Sequence, residues 1–290
     1  MRDASELAGL QRYPLARRSL MTTGMIGSLA LATQSVEAQA IHTDAAGLET
    51  GEVRIESDGA QLPAYFARPA TGTGFPVVLV FEEIFGINDY LKDVCRRFAH
   101  LGYFAVATEY YARLGDLSKM TDGKQIMQQV IAKAPDAQYM RDADATAAWA
   151  GKHKGDLGRL GVNGFCRGGR QTWLYAAHNP HLKAAVSWYG VLKTPISPIQ
   201  PETALQAVTQ IRCPVLGLYG AQDASNPLSV IQDAQAEAKH DREPVEIVVY
   251  PDAPHGFHAD YRPSYRKDAA EDGWGRAIAW FHRFGVKPTP

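Results

Sequence analysis

Six short apolar runs recur from residue 75 onwards, and stretches with helical spacing fall between most of them. The runs are FPVVLVFEE (75–83), YFAVATEY (103–110), RLGVNGF (159–165), AAVSWYG (184–190), PVLGLYG (214–220) and VEIVVYP (245–251). Continuous apolar runs are typical of strands buried on both faces of a parallel sheet. The alternation predicts βα units and a mostly parallel central sheet with helices on both faces. The helical patterns lie at 89–101, 140–154, 168–178, 227–240 and 266–284.

Two segments depart from this alternation. VRIES and LPAYFARP, on either side of DGAQ, predict a β-hairpin before the first apolar run. Segment 111–139 is long for a loop even with a short helix at 123–133, and long loops in compact domains are often lids or binding loops. Because no linker is visible inside 41–290, this range is predicted to be one domain.

The first forty residues have a different character. LARRSLMTTGMIGSLALATQSVEAQA begins near the pair Arg17 and Arg18, continues through a weakly apolar stretch, and ends with small residues at Ala38 and Ala40. This is the three-part layout of a secretory signal, and the arginine pair favours twin-arginine export. Residues 1–40 are therefore predicted to be an export signal, and the mature protein to be periplasmic or secreted. A cytosolic tail or a mis-assigned start site is the alternative, with a cytoplasmic location.

Composition excludes several classes of function. The chain has 30 Lys and Arg against 31 Asp and Glu, a formal net charge of -1, so nothing indicates nucleic-acid binding. No apolar stretch is long enough to be a confident membrane span, so no stable membrane anchor is expected. Three cysteines, an odd number, argue against a disulfide framework. Cys95 and Cys213 are predicted to be small buried hydrophobic residues.

The run at 159–165 leads directly into GFCRGG (164–169), between a predicted strand and a predicted helix. The sequence is the thiol version of the G-x-S-x-G nucleophile elbow. Its glycines allow the strand and helix backbones to approach, and the turn places Cys166 at a helix N-terminus, where the helix dipole favours a thiolate. A glycine-rich turn with a buried structural cysteine is the alternative interpretation.

Asp223 and His255 each follow a predicted strand at its carboxyl end, in LYGAQDASNP and VVYPDAPHGFH. Ligands of open α/β sheets bind outside the carboxyl ends of strands. The chain order of nucleophile, acid and histidine is that of α/β hydrolases. The sequence therefore predicts an α/β-hydrolase fold with a triad of Cys166, His255 and Asp223. His258 follows His255 by three residues, but nothing nearby completes a metal site of plausible ligand count.

From about residue 50 to 285 the chain resembles the dienelactone hydrolase (carboxymethylenebutenolidase) family, a cysteine branch of the α/β-hydrolase superfamily. The matching pieces are EEIFGIN (82–88), EYYARLG (109–115), GFCRGG, GAQD and PHGF. The resemblance implies that Cys166 is the nucleophile, that His255 acts as general base and then acid, and that Asp223 orients His255. Glu83 matches the glutamate that in this family contacts the resting thiol and helps to gate its activation. A capping or ion-pairing acid is the alternative for Glu83.

The resemblance also implies binding residues. Backbone N–H groups of Ile84 and Arg167 are predicted to form the oxyanion hole. Arg113 matches one of the two arginines that bind the substrate carboxylate in this family. The second would fall at Ala259, and Arg262, three residues further on, is the candidate replacement. Arg167 is itself a departure, because the residue after the nucleophile is commonly apolar.

These observations predict a hydrolase that opens enol lactones or small activated esters through a cysteine acyl-enzyme. A thiolate is a good nucleophile for such esters and a poor one for amides, because the tetrahedral adduct expels thiolate more easily than amine. No metal or organic cofactor is implied, the substrate is a small-molecule ester or lactone, and a monomer or small homo-oligomer is expected. Two alternatives stay open: a general carboxylesterase without dienelactone activity, and a non-catalytic or thiol-redox protein on the same scaffold.

Overall fold

A computed structural model describes residues 40–289, which contain one eight-stranded sheet. The strand order is β1-β2-β4-β3-β5-β6-β7-β8. The β1–β2 and β2–β4 pairs are antiparallel, and all other neighbours are parallel. The predicted hairpin is therefore present and extends the parallel sheet at one edge. The strands are β1 (Leu48–Ser57), β2 (Ala60–Pro69), β3 (Phe75–Phe81), β4 (Phe104–Thr108), β5 (Gly155–Phe165), β6 (Ala184–Trp188), β7 (Val215–Gly220) and β8 (Val245–Tyr250).

Seven α-helices accompany the sheet. They are α1 (Asp89–His100), α2 (Gly123–Gln129), α3 (Asp136–Lys152), α4 (Arg167–His178), α5 (Ala204–Ala207), α6 (Leu228–Glu237) and α7 (Lys267–Arg283). The predicted fold class is confirmed, and among the predicted helices only α3 begins well before its predicted start. Within the described range, no helix combines the length and the apolar character needed to cross a bilayer. The predicted export signal lies outside the described residues, apart from Ala40.

Two hydrophobic cores lie on opposite faces of the sheet. Along β3, Val77 and Leu79 belong to one core, while Val78 and Val80 belong to the other, as the two-residue period of a strand requires. Helices α3, α4 and α6 contribute to the first core, and α1 and α7 to the second. Burial on both faces is the physical reason why these strands read as continuous apolar runs.

Segment 111–139 packs on the domain rather than extending from it. It contains α2 between two short 3₁₀ turns, and its Ile126 and Ile131 are buried in the first core. The side chain of Gln200 donates to the carbonyls of Ile131 and Ala134, at 2.6 and 2.9 Å. The segment is therefore anchored both by apolar burial and by hydrogen bonds.

Candidate active site

Cys166 lies on a sharp turn between β5 and α4, with backbone angles of φ 54° and ψ -113°. Residues other than glycine rarely adopt positive φ, and such strain is concentrated at functional sites. A β-carbon on Gly164 would overlap the carbonyl oxygen of Gly168, and one on Gly168 would overlap the carbonyl oxygen of Phe81. The two glycines thus allow β3, β5 and α4 to meet closely, and this contact fixes the position of Cys166 at the carboxyl edge of the sheet.

Asp223 and His255 come together from the loops that follow β7 and β8. The two strands are parallel neighbours, so their carboxyl ends lie at the same edge of the sheet. His255 Nδ1 lies 2.8 Å from Asp223 Oδ2. The same carboxylate accepts the side-chain amide of Asn226 at 3.0 Å and the backbone N–H of Ser225 at 2.7 Å. These bonds hold the Asp223 side chain, which is fully buried, in a single orientation towards His255.

The charges of this group favour an ionised pair. Burial alone would raise the pKa of Asp223, but hydrogen bonds from His255 and Asn226 outweigh it and lower that pKa. Burial alone would lower the pKa of His255. The negative charge of Cys166 and the hydrogen bond to Asp223 oppose it more strongly, and the pKa of His255 is raised to about 10. The site therefore favours the imidazolium form of His255, held by the carboxylate of Asp223 and next to Cys166.

Glu83 follows β3 and is almost fully buried. Its Oε2 accepts from Arg262 Nη2 at 2.8 Å and from the Tyr261 hydroxyl at 3.0 Å. Its Oε1 has no hydrogen-bond partner in the described part of the chain. Arg262 also lies 4.9 Å from the ring centre of Phe85. Arg262 is thus brought to the end of β3 next to Glu83, where it joins the turn after His255 to the segment that carries Ile84.

The backbone N–H groups of Ile84 and Arg167 lie in the segment after β3 and at the first residue of α4. Among residues 40–289, neither group donates to a backbone or side-chain acceptor. Donors at a helix N-terminus and in the adjacent loop are the groups that form an oxyanion hole in this type of fold. Both are therefore available to hold an oxyanion, and that role stays a prediction.

The structure does not bring Arg113 into contact with the triad. Its guanidinium pairs with the fully buried carboxylate of Asp142 and also donates to the carbonyl of Ser57. These contacts tie the turn after β4 to α3 and to the end of β1. Arg113 is thus engaged by the protein itself, and its contact with substrate stays a prediction.

Asn226 and Tyr261 were not assigned a role by the sequence alone, whereas the position of Tyr189 at a strand end predicted either a pocket wall or core packing. Asn226 holds Asp223, Tyr261 donates to Glu83, and the Tyr189 ring packs edge-on against His255 with 5.1 Å between ring centres. Tyr189 also has a positive φ of 39°. Its place directly after β6 was the available signal, because strand ends converge on the site. The contacts of Asn226 and Tyr261 depend on how their loops fold, and no sequence motif predicts them.

The other cysteines and His258 are structural. Cys95 and Cys213 are buried as predicted, and burial raises the pKa of both thiols, so neither favours a thiolate. His258 is fully buried, stacks on Phe165, and its Nδ1 lies 2.6 Å from the Tyr90 hydroxyl. Burial lowers the pKa of His258 well below its ordinary value, so this ring is neutral. Cys166 is the one cysteine of the chain that is not fully buried.

Comparisons with known proteins agree on one family. A sequence model described as the dienelactone hydrolase family matches residues 62–285. A protein of Methylorubrum extorquens named "putative carboxymethylenebutenolidase" is 50% identical over 274 residues, which cover 94% of each chain. A protein of the same name from Escherichia coli K12 is 43% identical over 270 residues, covering 93% of this chain and 100% of that protein. A Klebsiella pneumoniae crystal structure described as a "putative dienelactone hydrolase" has a TM-score of 0.80 and 46% identity, covering 82% of this chain and 99% of that one.

Proposed function

Because the chain belongs to the dienelactone hydrolase family, and is thus a hydrolase of the α/β-hydrolase fold, we propose that it opens enol lactones or small activated esters through an acyl-thioester on Cys166. The observation that carries this proposal is the hydrogen bond of 2.8 Å between His255 and Asp223, at the carboxyl edge of the sheet that also carries Cys166. A histidine oriented by a buried carboxylate is the arrangement that activates a nucleophile.

Acylation begins with attack of the Cys166 thiolate on the carbonyl carbon of the ester. The carbonyl electron pair moves to oxygen, where the backbone N–H groups of Ile84 and Arg167 stabilise the negative charge. Collapse of the adduct re-forms the carbonyl and breaks the ester C–O bond. The leaving enolate or alkoxide takes the proton of His255, so the imidazolium becomes neutral and the acyl group stays on sulfur.

Deacylation uses the neutral His255 as a general base. It removes a proton from water as the water oxygen attacks the thioester carbon, and the same two N–H groups stabilise the second oxyanion. Collapse of this adduct breaks the C–S bond and releases the carboxylic acid. The departing thiolate meets the imidazolium again, and the resting pair is restored.

Glu83 has two possible parts in this cycle. The family resemblance predicts that it contacts the resting thiol and helps to gate its activation when substrate binds. Its partners here are Tyr261 and Arg262, while the charge on His255 is matched by Cys166. We therefore propose that the resting enzyme already contains the Cys166–His255 ion pair, and that Glu83 positions the neighbouring loops through Arg262.

The experiment that tests the proposal compares the purified protein with its Cys166→Ala variant on a panel of aryl esters and enol lactones. Alanine is smaller than cysteine and fits the elbow, so the variant should fold and lose activity on the order of 10³-fold or more. Activity on aryl esters alone would identify a general carboxylesterase. Equal turnover by both proteins would contradict the cysteine mechanism, and no turnover at all would favour the thiol-redox alternative.

We also propose that the protein is exported by the twin-arginine route. The support is sequence layout alone: Arg17 and Arg18, a weakly apolar stretch, and small residues ending at Ala40. A periplasmic or secreted location would expose the enzyme to small esters that enter from outside the cell. The test of this proposal concerns the whole chain and is given in the Discussion.

A further inference from the structure

Unpartnered polar atoms are concentrated beside the nucleophile. Nine buried side-chain nitrogen and oxygen atoms in the described part of the chain have no hydrogen-bond partner. Five of these belong to four neighbouring residues: Arg167 Nε and Nη2, the hydroxyls of Tyr111 and Tyr139, and Glu82 Oε2. We refer to these four residues as the Arg167 cluster. Unpaired buried polar groups cost stability, so a concentration of them next to a reactive residue points to a ligand.

The four residues form one group in space. The charges of Arg167 and Glu82 both act on the hydroxyl of Tyr111, and both act on that of Tyr139. The rings of Tyr111 and Tyr139 are in contact, with 5.7 Å between their centres. Every member of the cluster is more than nine-tenths buried. The cluster lies where the segment after β4 and the start of α3 meet the start of α4.

The cluster lacks one negative charge. Asp136 is the nearest carboxylate, but Arg170 already binds both of its oxygens, at 2.7 and 2.8 Å. Arg167 Nη2 is 3.6 Å from the same carboxylate, too far for a hydrogen bond. Burial raises the pKa of Glu82 well above its ordinary value, and the nearby charge of Glu109 adds to this effect, so the charged form of Glu82 is disfavoured. Two guanidinium groups thus share one carboxylate.

Four of the five unpartnered atoms carry hydrogens that they can donate: Arg167 Nε and Nη2 and the two tyrosine hydroxyls. Nε and Nη2 of Arg167 lie on the same edge of the guanidinium, and this edge binds the two oxygens of a carboxylate side by side. Burial raises the pKa of Tyr111 to about 12 and that of Tyr139 well above its ordinary value, so both hydroxyls keep their protons. Such a set suits a carboxylate and offers little to a neutral or cationic group.

We propose that the side chain of Arg167 binds a carboxylate of the substrate, and that it determines specificity for anionic lactones and esters. This inference rests on the proposed function. The same residue would hold the reacting carbonyl through its backbone N–H and the carboxylate through its guanidinium. The site therefore selects substrates whose carboxylate lies at a distance of about one arginine side chain from the scissile ester. Arg167 thus supplies the positive charge for the substrate carboxylate that Ala259 cannot supply.

The kinetic test uses two substrates that share an activated ester and differ only in a remote group, a carboxylate in one and a carboxamide in the other. Arg167→Leu should raise KM for the carboxylate substrate relative to the carboxamide by about tenfold to a hundredfold, the range for a charge-assisted contact. Arg167→Lys keeps the charge and loses the two-donor edge, so it should recover part of the preference. If the leucine variant does not fold, the lysine variant still tests whether Arg167 sets the preference for the carboxylate substrate.

Arg68→Leu is the matched control. Arg68 is also a buried arginine, but it is on β2 and its nitrogens are partnered by Glu49 and the carbonyl of His153. Its replacement should lower stability without changing the ratio of the two KM values. If Arg167→Leu leaves the ratio unchanged, as Arg68→Leu should, Arg167 is a structural residue and the inference is wrong.

A binding measurement separates this inference from the proposed reaction. In the Cys166→Ala protein, calorimetry should detect benzoate binding and much weaker benzamide binding. Adding Arg167→Leu should remove the difference between the two. This outcome would support the anion site even if Cys166 proved not to be the nucleophile. Equal benzoate affinity with and without Arg167 would overturn the inference, whatever the kinetics show about hydrolysis.

Discussion

Cys166 and His255 show how far single residues can be placed from the sequence. Their motifs, G-x-C-x-G and a histidine just after a strand, follow from covalent and helix geometry, so their places at strand ends could be predicted from spacing, while their catalytic roles stay predictions. Partners of charged side chains were not accessible in the same way. Glu83 pairs with Arg262, and Arg113 pairs with Asp142, because long side chains reach groups that are distant in sequence. Only the folded chain determines which of those groups lies within reach.

The protonation state of His255 provides the first prediction. A negative charge on Cys166 is the largest of the causes that raise the pKa of His255 to about 10, so Cys166→Ala should lower this pKa towards 6.5. The sign follows because removing a negative neighbour disfavours the charged imidazolium. NMR titration of the imidazole C–H resonances of His255 measures this pKa in the wild-type protein and in the variant. A wild-type pKa near 6.5 that does not move in the variant would indicate a neutral resting thiol, as the gating role of Glu83 requires.

The buried pair of Glu83 and Arg262 provides the second prediction. The Glu83 side chain is 1% exposed and that of Arg262 is 20% exposed. Arg262→Met leaves a buried carboxylate without its counter-ion and should destabilise the protein by about 2–3 kcal/mol, at or below the lower end for a broken buried pair because Arg262 is partly exposed. Glu83→Gln should cost less, because the remaining guanidinium reaches solvent.

Urea unfolding of both single variants and of the double variant measures this asymmetry. The double variant should be more stable than Arg262→Met alone, because the uncompensated charge is gone. If Glu83→Gln were the more damaging single change, Arg262 would not be the main partner of Glu83.

At the scale of elements, the strands and most helices lay within a few residues of their predicted bounds, because burial on one or two faces imposes a strong period. Helix α5 was not predicted, and three elements begin early: β1 at Leu48, five residues before its predicted start, β5 at Gly155, four residues before, and helix α3 at Asp136, also four residues before. The first turn of α3 contains Asp136, whose carboxylate binds Arg170 instead of continuing an apolar stripe. The strand order was likewise not predictable, because it depends on which neighbours the crossover helices bring together.

The elbow provides the third prediction. A β-carbon at Gly164 would overlap backbone and side-chain oxygens of α4, so Gly164→Ala should destabilise the protein by about 1–3 kcal/mol and reduce turnover by displacing Cys166. Gly275→Ala in α7 is the control, because a β-carbon there meets no atom within 4 Å. Alanine at that exposed helical position should stabilise the fold by about 0.5–1 kcal/mol. Thermal or urea unfolding checks both, and equal effects would contradict the close packing of the elbow.

At the scale of the whole molecule, the hydrolase domain follows about forty residues whose sequence we propose to be an export signal. The fourth prediction concerns that segment. Changing both Arg17 and Arg18 to lysine should leave full-length precursor in the cytoplasm, as seen by cell fractionation and immunoblotting. Changing Arg2 and Arg12 instead is the matched control and should leave export intact. Mature protein beginning near Ile41 in the periplasm of the Arg17 and Arg18 variant would argue for a different route.

The proposed reaction passes through an acyl group on Cys166, and rapid-quench mass spectrometry can detect this intermediate. The protein is mixed with p-nitrophenyl acetate, quenched in acid within the first turnovers, and digested for peptide mapping. We expect an acetyl adduct on the peptide that contains Cys166. Neutral hydroxylamine should remove this adduct, as it removes a thioester, and the adduct should be absent from Cys166→Ala. Continued turnover with no adduct at Cys166, or an adduct on another residue that supports full turnover, would contradict the proposed reaction.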